Sequence, residues 1–199
     1  MVDLNERVLD TAEHRGENLL PKEVLSLVER YHGDETPGAE REVVEAYATA
    51  LADRNVPTEI QDPWSALDER RTDSETWVGD DAVYELPSGR LSTYPANWHE
   101  RLAGSNDPRS YLRFLQGEAA FEPKNPTGSP GIPRERLLDV MSVVGHVDRQ
   151  EAKAAVERLR REGEVVEDAD QHPDANVYLA DQVDYDRADL AGEDVVDRE

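Results

Sequence analysis

The chain has 199 residues, of which 45 are Asp or Glu and 22 are Lys or Arg, so its formal charge is −23; with 37% hydrophobic residues it has room for one large or two small domains. It contains no cysteine, which excludes disulfides and thiolate metal sites, and no apolar run approaches the ~18 residues that a membrane-spanning helix needs. The start, MVDLNERVLD, lacks the basic and apolar regions of a signal peptide, so the expectation is a cytoplasmic protein with no membrane partner.

Leu4, Val8, Leu9 and Ala12 stand at helical spacing and predict a first amphipathic helix that ends by Gly16. Pro21 suits the first turn of a second helix, whose stripe is Leu20, Val24, Leu27, Val28 and Tyr31 and which Gly33 closes. Thr36 is expected to cap a third helix starting at Pro37 and running to about Asn55, with Val43, Val44, Tyr47, Ala50 and Leu51 on one face. Its acids Glu40, Glu42, Glu45 and Asp53 outnumber Arg41 and Arg54, a poor surface for a phosphate backbone.

Residues 56–75 read as a polar connection anchored by Trp64 and Leu67. Near-alternation at Val83, Glu85, Arg90, Ser92 and Tyr94 around Pro87-Ser88-Gly89 then predicts a β-hairpin near 82–94. Two short helices follow, the second capped by Asp107 ahead of Pro108. Trp98, Leu102, Tyr111, Leu112 and Leu115 are expected to pack back on the hairpin, which ends a first domain at residue 116. Residues 117–131, rich in Pro and Gly without apolar period, read as a linker.

In the second unit, Leu137, Leu138, Met141 and Val144 line a helix that stops at Gly145. Asp148 caps a helix over 149–161 with the core stripe Ala152, Ala155, Val156 and Leu159, and Gly163 ends it. Val165 and Val166, then Val177, Tyr178 and Leu179, predict two strands around a polar loop. The expected organisation is a helical domain over 1–116, a linker over 117–131, a second domain over 132–182 and an acidic tail over 183–199. The fold class is mainly α with small β-hairpins, that is α+β. Glu6-Arg7-Val8-Leu9-Asp10 also echoes Glu135-Arg136-Leu137-Leu138-Asp139. Two degenerate copies of a module produce such an echo, and so do two amphipathic helices in an Arg- and Glu-rich chain.

Two resemblances follow. Only Lys22, Lys124 and Lys153 are lysines while 19 bases are Arg, and this acidic, nearly Lys-free composition resembles that of proteins from extreme halophiles. In molar salt the screening length falls to about 3 Å, so clustered carboxylates hardly repel one another. The run VVGHVDRQEAKAAVERLRREGEVVE followed by NVYLA resembles the winged helix-turn-helix modules of archaeal replication proteins, such as the replicative helicase tail, and of small archaeal transcription regulators. The likeness covers about fifty residues and lacks a separate middle helix between Gly145 and Asp148. It implies a non-enzymatic double-stranded DNA-binding protein of transcription or replication, with a helix in the major groove and a wing on phosphates. Some such modules bind proteins instead, and pairing of two chains would suit them.

From residue 149 to 161 there are five bases (Arg149, Lys153, Arg158, Arg160, Arg161) and two acids (Glu151, Glu157), a local +3, whereas 164–199 holds 13 acids and two Arg, a local −11. These five bases, supported by Arg134 and Arg136, are the candidate DNA contacts. A solvated helix face, or cations favouring the negative end of a helix dipole, accounts for the same pattern. A protein partner is the remaining alternative. His14, His32, His99, His146 and His172 lack the i, i+4 spacing of a helical zinc pair. No phosphate loop, dinucleotide fingerprint or nucleophile elbow is present, so neither cofactor nor active site is expected.

Overall fold

A computed structural model describes residues 2–15, 19–32, 36–56, 63–118, 131–168 and 175–182. Asn5 begins the first helix, α1 (Glu6–Arg15), by accepting the Arg7 N–H on its side chain at 2.9 Å. Helix α2 (Pro21–Tyr31) starts with proline at its first position, and Glu23 folds back to accept the Leu20 N–H at 2.8 Å. Helix α3 (Arg41–Asp53) begins four residues later than Thr36 and Pro37 suggest. The reason is that Ala39 exchanges two backbone hydrogen bonds with Leu91, of 2.8 and 3.0 Å, before the helix can start. Gly38, at φ 76°, brings the chain against Leu86 and the Leu91 carbonyl, where no Cβ fits.

A further short helix, α4 (Pro63–Asp68), buries Leu67 where the sequence predicts only a connection. Strand β1 (Arg71–Thr72) runs parallel to β2 (Val83–Glu85), which forms the expected hairpin with β3 (Leu91–Ser92). Val8, Leu9, Ala12, Val24, Val28, Val44, Tyr47, Leu51, Leu67, Val83 and Leu91 close the first apolar core.

Helices α5 (Ala96–Leu102) and α6 (Pro108–Gln116) follow, the latter capped by Asp107, whose side chain accepts the Arg109 N–H at 3.1 Å. Next come β4 (Ile132–Pro133), α7 (Arg134–Val143), α8 (Arg149–Arg161), β5 (Val165–Glu167) and β6 (Asn176–Leu179). The last three strands form one antiparallel sheet in the order β4-β6-β5, with Ile132 opposite Val177 and Val165 opposite Leu179. Asp148 caps α8 by accepting the Gln150 N–H at 2.8 Å, and Gly163, at φ 74°, turns the chain into β5. Residues 169–174 of the expected polar loop, 119–130 of the expected linker and 183–199 of the expected tail lie outside the described residues.

Trp98 stacks on Tyr94 at the end of the 82–94 hairpin, and Leu102, Tyr111, Leu112 and Leu115 belong to the same cluster, which also reaches beyond the hairpin. They share one core with Ile132, Leu137, Met141, Val156, Leu159, Val177 and Leu179 from beyond the 117–131 connection. Helix α6 thus packs with α7 and α8 as a third helix of the C-terminal group. Three helices precede each hairpin, but α4 and β1 stand between α3 and the β2–β3 hairpin, whereas α8 leads directly into β5. The echo between residues 6–10 and 135–139 pairs α1 with α7, helices at different places in the two series.

Two details tie α6 to the α7–α8 turn. Tyr111 donates its hydroxyl to the Ser105 carbonyl at 2.6 Å, and a Cβ at Gly145 would collide with that hydroxyl while standing 2.8 Å from the Met141 carbonyl. The left-handed residue of the turn is His146, at φ 53°, so Gly145 serves close approach rather than positive φ. Gly145→Ala should lower stability by about 1–3 kcal/mol in urea unfolding, because both neighbours must shift; a fully stable variant would contradict the contact.

Glu29 on α2 is buried, and its Oε2 accepts from the Thr93 N–H at 2.9 Å and the Thr93 hydroxyl at 2.8 Å, while Oε1 has no hydrogen-bond partner. Burial pushes its carboxyl up to about 7, against the weaker opposing effects of the Ser92 and Thr93 hydrogen bonds and the Lys22 charge. The folded state therefore binds a proton that the unfolded state releases near pH 4.5. Stability associated with protonated Glu29 is complete below about pH 4.5 and is lost as pH rises through about 7, on the order of 3 kcal/mol in all. Glu29→Gln should remove this term, so the difference in unfolding free energy between variant and wild type should grow from pH 5 to 7.5. A pH-independent difference would show that Glu29 is not buried as described.

Candidate nucleic-acid interface

Helix α8 positions the predicted bases. Its buried stripe of Ala152, Val156 and Leu159 seats the helix on the C-terminal core, and this fixes which side chains point outward. At about 100° per residue, Gln150, Ala154 and Arg161 lie at the centre of the opposite face. Lys153 and Arg158 fall on its two edges, and all five of these residues are exposed.

The seven candidate bases divide sharply by partner. Arg149 donates to Asp139 at 2.5 Å and to Glu135, so it staples α8 to α7. Arg134 lies 2.6 Å from Glu157 and 3.5 Å from Glu167, and Arg160 lies 3.6 Å from Glu157 and 3.3 Å from Glu167. Glu167 itself is a strand residue with only 2% of its side chain exposed, held between the two guanidinium groups. Arg136 pairs with Asp80 and lies over the Trp77 ring at 5.0 Å; burial lowers its pKa. These four bases join elements of the fold. By contrast, Lys153, Arg158 and Arg161 have no ion-pair partner among the described residues, and Arg161 only donates Nε to the Glu157 carbonyl at 3.3 Å.

The expected cluster of seven therefore reduces to three solvent-facing bases. On the helical wheel Arg149 and Arg160 lie on one side of the apolar stripe, the side that acids of α7 and β5 approach, but Lys153 stands only about 20° beyond Arg160, so the wheel alone does not separate the two sets. Gln150, absent from the charge count, shares the outer face. Sequence reasoning also missed Lys22, Arg30 and Arg70, which meet Arg136 at a cavity between α2 and α7.

The histidines have local partners. His14 Nδ1 is 2.7 Å from the Asp10 carbonyl oxygen, and His32 Nδ1 is 2.7 Å from the Tyr47 hydroxyl. His99 Nε2 shares a buried hydrogen bond of 2.9 Å with Ser92, and burial, aided by nearby His146, pushes its pKa down to about 4. His172 lies outside the described residues. Among the described residues no group of three or more acids and histidines is placed to hold a metal ion, and no helix is long and apolar enough to cross a membrane.

No family model, curated protein or solved structure matches the chain.

The division between anchored and outward bases can be measured. Glu167→Gln should destabilise by roughly 1–3 kcal/mol, since it leaves Arg134 and Arg160 without their shared carboxylate. Lys153→Ala and Arg158→Ala should stay within about 0.5 kcal/mol of wild type, as surface changes do. Equal effects in urea unfolding would contradict the assignment.

Proposed function

We propose that the protein is a DNA-binding winged-helix protein of the haloarchaeal type, acting in transcription or replication without catalysis. In this reading the recognition module is α6-β4-α7-α8-β5-β6. Helix α8 enters the major groove and the β5–β6 hairpin is the wing. The chain order and the sheet order β4-β6-β5 support the module. The packing of α6 with α7 and α8 in one core supports the same module.

One observation carries the reading: on α8, Lys153 and Arg158 bracket the exposed Gln150, Ala154 and Arg161, and the one acid between them, Glu157, is engaged by Arg134 and Arg160. A duplex groove has the same layout, with phosphates along both rims and base edges between them. Lys153 and Arg158 would meet phosphates, while Gln150 and Arg161 would reach adenine and guanine edges, which suit their amide and guanidinium donors. The two large apolar side chains exposed among the described residues, Leu20 and Val78, are not on α8, which favours nucleic acid over an apolar protein partner there.

The small number of free bases limits the electrostatic share. Two or three phosphate contacts give a slope of about −2 to −3 in log affinity against log salt, so binding falls about 10³- to 10⁴-fold between 0.1 and 3 M. Recognition in molar salt must then rest on base edges and shape. Fluorescence anisotropy with a pool of random-centre duplexes in 0.5 M KCl tests the proposal. Wild type should bind a selected duplex, with Lys153→Glu/Arg158→Glu at least tenfold weaker. Failure of wild type to bind any duplex, or equal binding by the variant, rejects it.

A further inference from the structure

A cavity of about 310 Å³ lies between α2, the 70–81 loop, the end of β3 and α7. In a chain with twice as many acids as bases, its lining holds slightly more bases than acids. Arg15, Lys22, Arg30, Arg70 and Arg136 face four carboxylates there, those of Glu23, Asp80, Asp81 and Asp139.

Several of these cations are incompletely matched. The Lys22 ammonium donates to the carbonyl oxygens of Asp80 and Ala82, the latter at 2.7 Å, and has no carboxylate partner among the described residues. Burial, with the Arg136 charge adding to it, lowers its pKa to about 8, the sign of a positive group lacking compensation. Arg30 has only 6% of its side chain exposed; it donates Nη2 to Asp139 at 2.8 Å, yet its buried Nε has no acceptor. Arg70 is exposed and has no ion-pair partner among the described residues. An anion in the cavity would supply a countercharge to the Lys22 ammonium and the Arg70 guanidinium.

We infer that this cavity binds a small phosphate-bearing anion, with Lys22, Arg30 and Arg70 as its contacts. Two guanidinium groups and an ammonium match a tetrahedral dianion, the first through planar forks and the second as a point charge. The volume sits at the low end of ligand cavities, roughly 300–1,000 Å³, which fits a phosphate or a small phosphomonoester. The site is separate from the outer face of α8 and does not depend on DNA binding.

Isothermal titration calorimetry of the full chain in 0.5 M KCl, with inorganic phosphate and separately with glycerol 3-phosphate, tests this. At least one probe should bind saturably at one site per chain, and the tighter of the two identifies the free ion or the ester as the natural form. Arg70→Ala, an exposed position whose loss should leave the unfolding temperature unchanged, should weaken binding at least tenfold. Lys22→Met, which keeps the apolar stem, should do the same, while Arg158→Glu should bind as wild type does. No saturable heat with either probe, or wild-type affinity in a folded Arg70→Ala protein, overturns the assignment. So does loss of binding in Arg158→Glu, which would place the anion on α8.

Discussion

The architecture depends on α6 packing beneath the C-terminal sheet. Tyr111, Leu112 and Leu115 are fully buried among residues of β4, α7, α8 and β6. Burial of such side chains contributes about 1.5–3 kcal/mol each. The short sheet, with strands of two to four residues, could not hold α7 and α8 in place alone. Because α6 precedes the 117–131 connection, the two halves of the chain cannot be separated there without exposing this surface. Trp98 and Tyr94, stacked at 5.2 Å between ring centroids, extend the same core back to the first hairpin.

Cations are scarce in this molecule, and their placement is correspondingly informative. Among the described residues four ion pairs cross the 117–131 connection: Arg7 with Asp148 and Arg30 with Asp139, both at 2.8 Å, Arg136 with Asp80, and Arg109 with Glu164. Asp139 also accepts from Arg149, so a single carboxylate links α2, α7 and the start of α8. Exposed pairs of this kind are weak in dilute solution, but Arg30 is nearly enclosed and its pair is screened less by salt. Once these structural duties are assigned, the bases facing solvent on α8 and those lining the α2–α7 cavity remain as two local groups of cations, beside scattered exposed bases such as Arg101 and Arg113. Glu29 lies beside that cavity: Lys22 and Arg30, which line it, come from the same helix as Glu29.

Much of the local structure was legible from residue types. Apolar spacing located α1, α2, α7 and α8, and Asp107, Asp148 and Gly163 marked helix ends that the structure reproduces, because caps and stripes act within a turn or two. Thr36 misled because Ala39 is drawn into a bridge with Leu91, a partner 52 positions away that local preference does not register. Strands β1 and β4 were missed for a related reason. Two-residue strands carry no periodicity of their own and exist only through their neighbours.

The sequence by itself determined the charge, the order of helices and hairpins, and the concentration of bases along one helix. Tertiary structure alone decided that α6 belongs with the C-terminal group, and that Arg134, Arg136, Arg149 and Arg160 serve the fold while Lys153, Arg158 and Arg161 face solvent. The physical reason is distance along the chain. Composition and period act between near neighbours, whereas the carboxylates that claim an arginine, such as Asp80 for Arg136, come from anywhere the core brings them.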